Sequence, residues 1–305
     1  MSVADVVEYR WTVSAAVAES ADRLGPRLDD FLADRVPLVS RMHLRASVRS
    51  GAVLVDGRQA PPGLRLHVGA QVDARLDVGR ATAMTPQQIP LEILHDDERF
   101  AVVVKPAGML VHPTRGVKSG TLANALSGLW NQGEGPAVRP IFVHRLDKQT
   151  SGLMLVAKQR AAAARLSRAF ASGQVKKRYL AWLEGELDED TRTIEAPVAR
   201  LGEQRPQWGV SADGKPGLTR LHVRERRAGR TLVELEPVTG RTNQLRIHCA
   251  WIGRPIVGDE AYGAQPAPRL FLHAFRIEFP DPDLSRSHEF SQIPDAIDWP
   301  IEPSM

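Results

Sequence analysis

Only one of the 305 residues is cysteine, Cys249, so neither an intramolecular disulfide nor a thiolate zinc cage can hold this chain together. Flanked by Ala250 and Trp251, that thiol is expected to be buried packing. Long apolar runs are missing as well. Phe100-Ala101-Val102-Val103-Val104 stops at Lys105, far short of the roughly 20 residues a bilayer helix requires. The first nine residues carry Asp5 and Glu8 and lack a basic start followed by an apolar block, which is not the pattern of a secretory signal. The expectation is a cytoplasmic chain with no membrane contact, and a monomer by default. Charge of one sign is also scarce: 40 Lys and Arg against 36 Asp and Glu leave +4, too small an excess to name a partner. What is present, 43% apolar and 25% charged residues, is the balance of an ordinary globular protein, long enough for two domains.

Residues 1–25, rich in Ala, Ser, Asp and Glu, show no sustained period and read as a mobile leader or a loosely attached strand. From Pro26 the pattern changes. Leu28, Phe31 and Leu32 fall on one helix face, Ser40 can cap a second helix, and Arg41, Arg45 and Arg49 recur every four residues along it. Gly51 ends that helix. Val53-Leu54-Val55 then enters a turn at Asp56-Gly57, with the return strand expected near Arg65 to Val68. Two helices, a basic face and a hairpin resemble a small RNA-binding module found in a ribosomal small-subunit protein. The resemblance runs through Arg27-Leu28-Asp29, Leu38-Val39-Ser40-Arg41, residues 51–57 and Val68-Gly69, with Gly69-Ala70 where that module usually has Gly-Asp. It implies a small N-terminal α/β RNA-binding domain over residues 26–80. Arg41, Arg45 and Arg49 would then face backbone phosphates, although such a row can equally be solvated charge.

The polar, proline-bounded stretch at residues 81–90 reads as a linker. Beyond it, strands are expected at Glu92 to His95, Ala101 to Lys105, Ile141 to His144, Leu153 to Ala157, Arg178 to Glu184, Thr231 to Glu236 and Phe271 to Phe279. Helices are expected at Thr121 to Trp130, Gln159 to Ser172 and Asn243 to Ile252. Paired strands with interspersed helices indicate an α+β domain over residues 91–280: a mixed, mostly antiparallel sheet with flanking helices. Residues 281–305, with four prolines, read as a segment wrapped on the surface or disordered.

Asp147 sits in a short polar loop between two apolar strand-like runs, flanked by Arg145 and Lys148 and followed by Thr150-Ser151-Gly152. A lone aspartate there is most simply a turn former or a cap; a carboxylate presented for chemistry is the alternative. The wider pattern bears on that choice. His144-Arg145-Leu146-Asp147, two residues, then Thr150-Ser151-Gly152 resembles the signature of the RluA family of RNA pseudouridine synthases. Four further segments agree in order: Val103 to Pro113; Lys176-Lys177-Arg178-Tyr179-Leu180-Ala181; Gly240 to His248 continued by Gly253 to Asp259 and Tyr262-Gly263; and Leu270 to Ala274. Together they cover about residues 92 to 280. Asn243 departs from the pattern, which usually has histidine there; an amide can hydrogen-bond but cannot change charge near neutral pH.

The resemblance implies the isomerisation of uridine to pseudouridine in RNA, with no cofactor and no metal. It assigns Asp147 as nucleophile, Tyr179 to the target base, Arg246 as the cation expected to pair with Asp147, and Arg145 to the space left by a flipped-out uridine. Arg241 and Gln244 are further substrate-binding candidates. The reaction needs an ionised carboxylate, the form a neighbouring cation favours. Flipping follows from geometry, because the ribose carbon and uracil C5 are out of reach inside a stacked helix. Large-subunit ribosomal RNA is the favoured partner, with transfer RNA possible. Two rivals stand beside this reading: a non-catalytic RNA-binding protein on the same fold, and a metal-dependent hydrolase built on His112, His144, His248, His273, Asp147 and Asp259, against which no His pair has ligand spacing on one helix.

Overall fold

The computed structural model describes the chain except residues 1–5, 20–24, 38, 79–84, 115, 134–136, 203–206, 283–285, 295–298 and 300–305. Part of the expected leader, the first four residues of the linker and much of the C-terminal tail therefore lie outside the described residues. Two compact units partition the chain, residues 1–90 with 112–140 and residues 91–111 with 141–305.

In the first unit, β1 (Val6–Thr12), α1 (Ala15–Glu19), α2 (Leu28–Arg35), α3 (Arg41–Arg49), β2 (Val53–Val55), β3 (Arg58–Gln59), β4 (Gln71–Asp77) and α4 (Leu122–Trp130) follow in order. The strands form an antiparallel sheet in the order β1-β4-β2-β3. Leu28, Phe31 and Leu32 of α2 pack with Leu44 and Val48 of α3 on Val53, Val72 and Leu76 of the sheet. The Ser40 hydroxyl accepts from the His43 amide, the N-cap its position suggested. Of the two readings of residues 1–25, the strand is present: β1 runs seven residues in full register with β4, with Trp11 edge-on to Phe31. One expectation changes. The hairpin returns at once through β3, whereas Arg65 forms an isolated bridge to Arg27 outside any named strand. The long partner of β2 is β4, because Val72, Ala74 and Leu76 bury every second side chain and Arg65 to Val68 does not.

The second unit is built on one large sheet. Its strands are β5 (Glu92–Asp96), β6 (Phe100–Lys105), β7 (Ile141–Phe142), β8 (Ser151–Ala157), β9 (Lys176–Glu184), β10 (Thr191–Glu195), β11 (Val198–Arg200), β12 (Trp208–Val210), β13 (Leu218–Arg227), β14 (Arg230–Pro237), β15 (Leu272–Pro280) and β16 (Ser287–Ser291), with α5 (Arg160–Ala171) and α6 (Gln244–Trp251). The order is β10-β13-β14-β9-β15-β8-β6-β5, with β7 beside β8 and β16 beside β15; β11 and β12 pair separately. Only β15 with β8 is parallel, so the unit is α+β with a mostly antiparallel mixed sheet. All seven residues of β8 are buried, as a central strand covered on both faces requires. One core cluster joins Phe100, Leu153, Leu155, Leu166 and Phe279. The tail expectation also changes in part: β16 pairs with β15, and the nearly sealed Asp281 carboxylate accepts from Arg99 and contacts His288. Among the described residues no helix is long and apolar enough to cross a membrane.

Candidate active site

Asp147 lies in the loop from β7 to β8, where two contacts from the sheet fix the backbone. Gly152 has φ +114°, and a Cβ there would sit 2.4 Å from the Ala274 carbonyl oxygen, so the parallel approach of β8 to β15 demands glycine at this position. Beside it, the Ser151 hydroxyl faces His273 Nδ1 at 2.8 Å while His273 Nε2 faces the Gln292 carbonyl at 3.1 Å. A carbonyl can only accept, so Nε2 carries the proton and the serine donates to Nδ1.

Beneath the loop, Lys105 is sealed from solvent. Its Nζ donates to the carbonyls of Pro106, Met109 and Lys148 at 2.8, 2.9 and 3.1 Å, tying β6 to the residue after Asp147. Burial pulls the ammonium down to about 7, with Asp147 acting to raise it and Arg269 to lower it. Three carbonyl acceptors match three ammonium protons, so this geometry is that of the charged form.

A cavity of about 240 Å³ opens over the loop, lined by Arg145, Asp147, Tyr179, Arg241, Gln244 and Arg246 among others. Tyr179 points in from β9 and is 6% exposed; burial first and the charge of Asp147 second push its phenol up, so it remains protonated at neutral pH. Arg145 is exposed. Arg241 donates through Nε to the Pro216 carbonyl at 2.9 Å.

The expected pair of Arg246 with Asp147 is present at 4.0 Å, but Asp259 holds the guanidinium more closely, with two hydrogen bonds of 2.7 and 2.6 Å. Burial alone would lower the arginine, but the Asp259 bonds outweigh it and the net shift is upward. The fork of the guanidinium matches one carboxylate edge to edge, and Asp259 is almost sealed from solvent. The guanidinium also lies over the Tyr262 ring, 4.9 Å from its centroid. Asp259 and Tyr262 thus support the site without having been chosen for it from sequence. The signal was their position in the segment after α6, but nothing local says that Asp259 reaches back 13 residues.

Gln244 is reassigned. Its oxygen accepts from the Thr239 hydroxyl and the Arg241 amide, and its nitrogen donates to the Leu218 carbonyl and the Thr219 hydroxyl. That uses the full capacity of a side-chain amide, so Gln244 holds the loop before α6 in shape and has nothing left for a ligand. Asn243 adopts φ 53° at the start of α6 and donates to the Tyr262 hydroxyl at 3.1 Å, which in turn donates to the Trp208 carbonyl. Asparagine tolerates this left-handed backbone better than most residues.

The three arginines of α3 belong to the first unit. Arg45 donates to Asp29 at 2.7 Å and Arg41 pairs with Asp30 at 2.8 Å, both acids lying on α2. Burial would raise Asp29, but Arg45 and Arg27 together hold its carboxyl below the ordinary range. Arg49 is exposed, its carbonyl accepts from Gln59, and among the described residues its guanidinium has no carboxylate partner. A larger concavity of about 610 Å³ lies on the opposite face of the second unit's sheet, since Arg178 and Glu234 alternate with Tyr179 and Leu235. Its arginines are tied to glutamates, Arg178 and Arg224 to Glu234 and Arg220 to Glu236. Three of the four histidines considered as metal ligands are engaged within the protein: His144 Nε2 accepts from the Leu155 amide, His248 Nε2 meets the Ala196 carbonyl, and His273 is held through both ring nitrogens as above.

Comparison with known proteins identifies the family. The family described as RNA pseudouridylate synthase matches residues 99–251. An uncharacterized RNA pseudouridine synthase of Aquifex aeolicus is 38% identical over 78% of this chain and 77% of its own length. The ribosomal large subunit pseudouridine synthase D of Xanthomonas campestris pv. campestris is 40% identical over 82% of this chain and 74% of its own. The solved structure of human RNA pseudouridylate synthase domain containing 1 superposes with a TM-score of 0.59 at 32% identity, covering 69% of this chain and 85% of that one. With a core sheet of this topology and relatives of this similarity along most of its length, the chain belongs to the RNA pseudouridine synthases, isomerases of the RluA family.

Proposed function

We propose that the enzyme isomerises a uridine of large-subunit ribosomal RNA, with Asp147 as the nucleophile acting on a nucleotide flipped out of the stack. The observation that carries the reading is the convergence of Arg145, Asp147, Tyr179 and Arg246 on one cavity, whose size suits a single nucleotide better than the roughly 300 to 1,000 Å³ of drug-sized sites. A non-catalytic RNA binder has no use for a carboxylate backed by a buried lysine at the floor of its cleft.

Each side chain has a task in that scheme. Asp147 engages the ribose, either at the anomeric carbon or at the 2′ proton. Tyr179, a protonated phenol on a dry strand, presents a flat ring for the uracil to stack on and a hydrogen to donate. Arg246, locked by Asp259, holds a fixed positive charge 4.0 Å from the Asp147 carboxylate. Exposed Arg145 occupies the gap left in the RNA stack, and unstacking costs a few kcal/mol. Residues 26–80 serve as the RNA-binding module and Arg49, the α3 arginine with no carboxylate partner among the described residues, as its phosphate contact. The choice of ribosomal RNA rests on relatives that carry that substrate in their names; the cytoplasm is the matching compartment.

The test is tritium release from C5-labelled uridine in ribosomal RNA, measured for the wild type, Asp147→Ala and Asp147→Asn. Release that needs the wild-type carboxylate is expected. Equal release from all three would refute the assignment, and mapping pseudouridines in cells with and without the gene identifies the nucleotide.

A further inference from the structure

Lys177 stands two residues before Tyr179 on β9, so both side chains leave the same face of the strand, and both line the cavity that holds Asp147. Among the described residues its ammonium has no carboxylate, carbonyl or hydroxyl partner. Its contact is the ring of Phe170, whose centroid lies 5.7 Å away. Burial pulls this ammonium below the ordinary lysine value. The other cations of the cavity are differently placed: Arg246 is neutralised by Asp259, Arg241 donates to a backbone carbonyl, and Arg145 stands in solvent at the rim. His144, which also packs on Phe170, brings no compensating negative charge; it is a neutral acceptor for the Leu155 amide. Lys177 is half-buried, and a cation drawn partly out of water without a protein partner is costly; such groups are kept chiefly where a ligand completes them.

We propose that Lys177 contacts the uracil and carries the negative charge that develops on it when the glycosidic bond breaks. The proposal rests on the reading of Asp147 given above. When the C1′–N1 bond breaks, its electron pair leaves with N1, and the base becomes an anion with charge shared by N1 and the ring carbonyl oxygens. The open valence at C1′ is filled by an Asp147 oxygen, or by the C2′–H pair if Asp147 takes that proton. After the base turns, C5 bonds to C1′ and the carboxylate is released, or the proton returns to C2′. C5 then loses its proton and N1 gains one, so no atom enters or leaves overall. Between these steps the base bears a full charge inside a sheltered cavity, where a fixed ammonium is most effective. A phosphate suits this position less well, because the wet rim at Arg145 can hold it without stripping its hydration.

The experiment uses full-length Lys177→Met and Lys177→Arg with a ribosomal RNA fragment that the wild type modifies. Three quantities are read: the single-turnover rate of pseudouridine formation, the RNA Kd at several salt concentrations, and Tm. For Lys177→Met we expect a rate lower by about 10²-fold, as for loss of one charge-stabilising donor. Its Kd and salt slope should be unchanged, and its Tm equal to or above the wild type because an unpaired charge has gone. Lys177→Arg should recover part of the rate. A rate within threefold of wild type overturns the proposal. So does a loss confined to Kd with the salt slope reduced by about one, which would mark a phosphate contact. So does a fall in Tm for Lys177→Met, which would make the lysine structural. Failure of the underlying reading is distinguishable, because it appears as full activity in Asp147→Ala whatever Lys177 does.

Discussion

His144 sets an acid limit on the fold that can be worked out from two contacts. Its Nε2 accepts the Leu155 amide at 2.9 Å, and its ring stacks on Phe170 at 4.8 Å. Protonation would turn that acceptor into a donor pointed at another donor. Burial first, and the nearby Lys177 charge second, lower the imidazole to about 3 from 6.5. A histidine depressed in the folded state binds a proton more readily when unfolded, so the unfolded state takes up the extra proton as pH falls, and stability falls with pH between 6.5 and 3. Over the interval from pH 7.5 to 5.5 the loss is about 1.4 kcal/mol, nearly one pH unit of full linkage below the unfolded value. The assay is urea unfolding at half-unit pH steps for the wild type and His144→Gln, whose amide oxygen can still accept from Leu155. The difference between the two curves isolates this residue. His248, lowered by burial, changes in the same direction, and exposed His67, raised by the Val68 carbonyl and Asp56, in the other, but both remain in the variant. Parallel curves from pH 7.5 to 5.5 would refute the reasoning.

Two further outcomes follow from the ion pairs. Asp259→Ala leaves the Arg246 guanidinium without its carboxylate in a site where its side chain is 15% exposed, and should cost about 3 to 5 kcal/mol of stability, read as a lower urea midpoint; Asp259→Asn, which keeps one acceptor, should lose less. A midpoint unchanged in Asp259→Ala would mean that Arg246 relaxes onto Asp147. On α3, Arg49→Ala should reduce the salt slope of RNA binding by about one, whereas Arg45→Ala should change it less because Asp29 already holds that charge. Equal slopes for both variants would remove α3 from the interface.

The elements that carry the chemistry were legible because their sequence and structural constraints coincide. Gly152 is required by the approach of β8 to the Ala274 carbonyl, and it is also the glycine of the segment that drew attention to Asp147. Ser40 caps α3 where a serine before a helical run should. Strands with one charged face were harder to read. β13 buries Leu221 and Val223 but turns Arg220 and Arg224 outward, and a bulge between Val223 and Glu225 breaks its alternation. β1 alternates half-buried and exposed residues at a sheet edge, which periodicity barely separates from a polar leader.

What sequence could not reveal is which charges cancel. Arg41, Arg45 and Arg49 look alike at a spacing of four, yet Asp30 and Asp29 occupy the first two and leave the third. Arg246 and Lys177 are both cations of the cavity that holds Asp147. Asp259 binds one of them through a loop, and no described acid reaches the other. The functional difference between them is therefore set by tertiary pairing: a satisfied cation can only hold its neighbours in place, while an unsatisfied one in a cavity is free to meet a charge that exists only during the reaction.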